Sequence, residues 1–209
     1  MAELSESYCF IQRLSIKRVM GKSRLEAFSD GVLAIILTIM VLEMKVPHGD
    51  HIVDLKPLLP VFLSYILSFI YIGIYWNNHH HLMHIVQNIN GSVLWANIHL
   101  LFWLSLVPFA TGWMGENHFS TWTVLVYGTV LLMASIAYFI LVRVLVYHNN
   151  SNSKLSKAVG KDKKGIISTG IYILAIPLCF IHPYISCCLY IIVALIWLAP
   201  DKRIEKTIQ

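Results

Sequence analysis

Six apolar runs, each about long enough to cross a bilayer, take up most of this chain: Phe28–Val46, Pro57–Tyr75, Val93–Trp113, Trp122–Leu145, Gly165–Ile181 and Pro183–Ala199. A helix rises about 1.5 Å per residue, so roughly 20 apolar residues match a hydrocarbon core about 30 Å thick. The last two runs meet at His182-Pro183, where proline disfavours helix at the residue before it. A single helix through both would overrun the core. The expected fold is an all-α integral membrane protein with six transmembrane helices, in one domain over residues 1–209, the first helix covering about 24–46.

Composition agrees with lipid as the main solvent. Of 209 residues, 57% are hydrophobic and 13% charged, against about 45–50% and 25% in soluble domains. That is too little polar surface to cover a soluble core of this size. With an even number of crossings, fourteen of the sixteen Lys and Arg residues fall on one side. They cluster before the first run (Arg13 to Arg24), after the fourth (Arg143 to Lys164) and at the end (Lys202 to Lys206). The positive-inside rule then puts both termini in the cytoplasm. The net charge of +5 is accounted for by cytoplasmic loops facing anionic headgroups. No zinc-finger spacing or interleaved basic and aromatic patch supports a nucleic-acid partner. The four cysteines, Cys9, Cys179, Cys187 and Cys188, suggest no disulfide framework. Met1–Lys22 lacks the apolar core of a signal peptide and is expected to stay on the protein.

The most informative stretch opens the first run: Arg24-Leu25-Glu26-Ala27-Phe28-Ser29-Asp30-Gly31-Val32. Ser29 or Asp30 can cap a helix start, where acids are favoured by the dipole. Alternatively, Asp30 lies within the membrane and faces a partner or a wet cavity. Partners are available in Trp76-Asn77-Asn78-His79-His80-His81-Leu82-Met83-His84, which holds four histidines in six positions. Such a tract can bind metal. It has no intervening Glu and no thiolate, which favours a hydrogen-bond cluster tying Trp76, Asn77 and one or two imidazoles to Ser29 and Asp30. Asn97 and His99 can join it. Further along, Ile35, Ile39 and Leu42 share a helix face. They read either as ordinary packing or, in several copies around an axis, as apolar rings that close a pore by dewetting. Thr38 can present a hydroxyl beside those rings or return it to its own backbone, and Glu43 puts a charge at the outer end.

Arg24, Phe28, Ser29 and Asp30 together form an Arg-x-x-x-Phe-Ser-Asp motif. With Trp76-Asn77, the following histidines, Asn90, Trp95 and Asn97, the chain resembles the bacterial branch of the lysosomal and endosomal transmembrane potassium channel family. The resemblance implies a multi-pass protein of the bacterial inner membrane that acts as a potassium-selective or potassium-permeable channel, not an enzyme. It implies a homotetramer whose first helices line the pore, with no cofactor, no tightly bound metal and no carbonyl filter. K⁺, and other monovalent cations, would be the permeant partners. Ile35 would form the constriction, Ile39 and Leu42 further pore-facing turns, and Thr38 a hydroxyl layer. Arg24, Phe28, Ser29, Asp30, Trp76 and Asn77 would form a structural network with His80 and His81, the choice among the consecutive histidines remaining open. Two other readings compete. A proton-coupled cation transporter would titrate Asp30 and the histidines. A haem protein would draw ligands from His79, His80, His81, His84 and His99.

Overall fold

The computed structural model describes residues 2–86, 89–149 and 163–198, with side chains over 21–86, 89–149 and 164–198. The described residues are helical, in the order α1 Ala2–Leu42, a short 3-10 segment Ile52–Leu58, α2 Leu59–Ile85, α3 Gly91–Ser105, α4 Val107–Glu116, α5 Thr121–His148, α6 Lys163–Leu178 and α7 Pro183–Leu198. Among the described residues, four stretches are long and apolar enough to cross a membrane: Gly21–Leu42, Ile52–Ile85, Gly91–Glu116 and Thr121–His148. They coincide with the first four apolar runs. The last two runs become α6 and α7, apolar helices of 16 residues each. At that length each rises about 24 Å.

The first helix differs from its expected span at both ends. It starts upstream of Arg24 and stops at Leu42 instead of Val46. The Glu43 and Met44 amides close the last turn on Ile39 and Val41, and Pro47 biases the residue before it away from helix. Because helix runs straight through Ser29 and Asp30, neither is a cap.

The third run also differs, since it breaks at Leu106 into α3 and α4. Pro108 has no amide hydrogen to donate to Leu104 and its ring crowds that carbonyl, so a straight helix is excluded there. Asn90 caps the start of α3 by accepting from the Val93 amide at 3.0 Å. The split between the last two runs falls where proline placed it. Residues 179–181 form a turn, and Pro183 takes the first position of α7.

α1 packs on α2, α3 and α4, while α5 packs on α3, α4, α6 and α7. The pore-helix candidate therefore sits on one flank of the bundle. Down α2 runs a buried polar stripe, Ser64, Ser68 and Tyr71, at a spacing that keeps them on one face. Ser68 bonds the Thr111 hydroxyl at 2.6 Å and the Tyr127 hydroxyl at 3.0 Å, and Tyr71 donates to the Tyr190 carbonyl at 2.6 Å. In lipid, apolar burial drives little helix association, so close packing and such cross-helix hydrogen bonds carry more of it. Two glycines permit the approach. A Cβ on Gly115 would meet the Val61 backbone at 2.6 Å, and one on Gly128 would collide with the Tyr190 hydroxyl.

Candidate functional site

α1 presents two unlike faces. Leu25, Ser29, Leu33, Ile36 and Met40 recur every three or four residues and are buried. The opposite stripe stays open: Phe28 is 56% exposed, Ile35 59%, Ile39 41% and Leu42 80%. Thr38 is also exposed and donates its hydroxyl to the Ile35 carbonyl at 2.9 Å. Its proton is thus directed to the backbone, leaving the oxygen lone pairs as the outward-facing chemistry. All four residues expected to line a pore lie on the face that the described residues leave uncovered.

A polar chain anchors the buried face. The Asn97 amide nitrogen donates to the Ser29 hydroxyl at 2.9 Å, and its oxygen lies 2.8 Å from His79 Nε2. Ser29 in turn donates to the Leu25 carbonyl at 2.8 Å. Ser29, Asn97 and His79 are each 3% exposed or less, so three helices are joined by hydrogen bonds sheltered from water. With Asn97 as acceptor, His79 Nε2 carries the proton. Beside this chain, the Trp76 indole donates to Asp30 Oδ1 at 3.0 Å. Lys22 donates to the His84 carbonyl at 3.3 Å, a second link between α1 and the end of α2.

These contacts redraw the expected network. The histidine hydrogen-bonded into it is His79, which the expected set did not include, whereas His80 reaches it through its ring. Successive helical residues point about 100° apart, so three consecutive histidines cannot all face α3. His80 stacks on Trp76 with ring centres 5.9 Å apart, and His81 meets His80 edge-on at 5.7 Å. Among the described residues no side-chain hydrogen bond ties Asn77 to the cluster, and the Phe28 ring is exposed. Arg24 is exposed and has no ion pair among the described residues. Six residues separate it from Asp30, which is roughly 240° around a helix, and that places the two on different faces. His99 bonds within its own helix, accepting from the Trp103 indole at 3.0 Å. Among the described residues, no three His, Cys, Asp or Glu side chains converge as metal ligands would.

At the other end of α1 an open groove of about 570 Å³ separates α1 from α3 and α4. Ile35, Ile39, Phe109 and Trp113 wall it, and Glu43 and Glu116 close its end. Lys45 bridges to Glu116 at 2.7 Å. The hydrogen bond to Glu116, then its charge, then the charge of Glu43 hold the Lys45 ammonium above its ordinary pKa.

A family model described as endosomal/lysosomal potassium channel TMEM175 matches residues 24–108, from Arg24 of the first-helix motif to the Pro108 break. A potassium channel of Chryseobacterium sp. (strain P1-3) is 58% identical over 190 residues, covering 91% of this chain and 99% of its own. An endosomal/lysosomal proton channel TMEM175 of Gallus gallus is 34% identical over 103 residues, 44% of this chain and 21% of the animal protein. The crystal structure of a lysosomal potassium-selective channel TMEM175 homolog from Chamaesiphon minutus superposes with a TM-score of 0.74 at 28% identity, covering 87% of this chain and 98% of that one. Near-complete coverage by a bacterial relative, together with agreement in fold, places this chain in the TMEM175 family.

Proposed function

We propose that this protein is a potassium-permeable channel of the bacterial inner membrane, formed by four copies around an axis lined by α1. Each chain would cross the bilayer six times with both termini in the cytoplasm, α6 and α7 forming the final hairpin. The observation that carries this reading is the open stripe Ile35, Thr38, Ile39 and Leu42, set opposite a face anchored to α2 and α3. One chain has no means of enclosing a passage with that stripe, whereas four copies turn each residue into a ring.

Conduction is passive. A hydrated cation enters the outer vestibule, passes Leu42 and Ile39, and meets its highest barrier at the Ile35 ring, where apolar walls disfavour water. Thr38, one turn away, offers oxygen lone pairs that compensate part of the lost hydration. The sequence holds no Thr-Val-Gly-Tyr-Gly segment, so discrimination between K⁺ and Na⁺ would rest on ring width, retained water and these hydroxyls. The Ser29–Asn97–His79 chain holds α1 in rotational register, so that the stripe faces the axis; it does no chemistry.

Single-channel recording of the purified protein under K⁺/Na⁺ bi-ionic conditions tests this. Unitary currents with a reversal potential shifted toward K⁺ are expected. A reversal potential near zero counts against selectivity, and an absence of unitary currents counts against the channel. The animal relatives are named as proton channels, which favours one second reading: proton-coupled cation transport. Saturable cation flux that stops when the proton gradient is collapsed would replace the channel with that transporter.

A further inference from the structure

We propose that Lys45 sets the electrostatic potential at the outer mouth of the pore by neutralising one of two carboxylates that would otherwise face permeant cations. The inference rests on the channel reading above and adds to it a residue that tunes throughput. Glu43 lies in the turn just past the end of α1, its amide donating to the Ile39 carbonyl, and Glu43 and Ile39 both line the 570 Å³ groove. Its side chain lies against α4, close enough that a Cβ added to Gly112 would sit 3.9 Å from Glu43 Oε2. Glu116 reaches the same end of the groove from α4. Lys45 is bridged to Glu116 at 2.7 Å and feels the charge of Glu43 more weakly.

This triad carries one net negative charge per chain, and a fourfold ring repeats it around the axis. Removing the lysine charge doubles the negative charge at the mouth, and removing Glu116 cancels it. A charged mouth concentrates counter-ions over a Debye length, about 30 Å at 0.01 M salt and 3 Å at 1 M. The lysine therefore holds a potential that matters at low ionic strength and disappears at high. Its side chain is mostly exposed, which leaves it free to act as a charge in water and not as a packing element.

The test is unitary K⁺ conductance in planar bilayers with the Lys45 side held at 10 mM and at 1 M K⁺. At 10 mM, Lys45→Gln is expected to raise conductance at least about twofold and Glu116→Gln to lower it by a similar factor. Lys45→Arg should match the parent. The double variant K45Q/E116Q restores the parental net charge and should restore its conductance, which a merely structural bridge would not do. All four should converge at 1 M. The inference is overturned if the two single variants shift conductance in the same direction, or if neither shifts it at 10 mM while the parent conducts. A parent without K⁺ current overturns both this and the channel reading.

Discussion

Asn97 joins two side chains of opposite need: its amide nitrogen serves the Ser29 hydroxyl and its oxygen takes the His79 proton. Replacing it by the near-isosteric Leu leaves Ser29 short of a donor and His79 short of an acceptor, both buried. Leaving a buried polar group unpaired costs about 1–3 kcal/mol, so Asn97→Leu should lower the thermal midpoint in detergent by several degrees, while Asn77→Leu should not. If both variants melt with the parent, the chain has no clamping role. At Ile35 water decides. Ile35→Asn offers a polar group where the proposed apolar ring would disfavour wetting, and reconstituted protein should leak K⁺ faster than the parent. Unchanged flux in liposomes would remove Ile35 from the constriction. Ser29 and Asp30 were legible in the sequence as a motif, but the identity of their histidine was not. The signal was present in the phase of α2: extending the buried position Ile72 by seven residues selects His79 over its neighbours.

At the scale of elements, proline and glycine decide more than the apolar runs do. Run lengths located four spanning stretches, and His182-Pro183 was needed to separate α6 from α7. They gave no sign that Leu106 divides α3 from α4, although Pro108 announces it, because hydropathy averages over a single missing hydrogen bond. Nor did they show the stripe of Ser64, Ser68 and Tyr71, since small hydroxyl residues barely lower the hydropathy of an apolar run. Gly115 belongs to that contact, facing Ser64 and the Val61 backbone. Gly115→Val would force α2 and α4 apart, and overpacking of this kind costs about 1–3 kcal/mol or more. Reduced thermal stability and weaker protection of the Ser64 region in hydrogen exchange are the expected outcomes. Parental stability would show that the crossing has slack.

At the scale of the whole molecule, the exposed stripe on α1 needs a covering that the described residues do not supply. Native mass spectrometry from mild detergent should report four chains, and Leu42→Cys should cross-link into dimers under oxidation through neighbouring copies. A monomer at all detergent concentrations would leave the stripe facing lipid. The anchoring of α1 also sets how it moves. Its hydrogen bonds to other helices among the described residues fall at Lys22, Ser29 and Asp30, with the buried one at Ser29, whereas Leu33, Ile36 and Met40 are held by packing that does not specify direction. Ser29 is therefore a pivot. Ile35 lies about 9 Å along the helix from it and Leu42 about 20 Å, so a given tilt displaces Leu42 about twice as far. In the proposed tetramer the Ile35 ring would sit near the fulcrum, where leverage is small, and the Ile39 and Leu42 rings would take up the swing: the mouth of the pore would flare or narrow while its throat kept nearly the same bore.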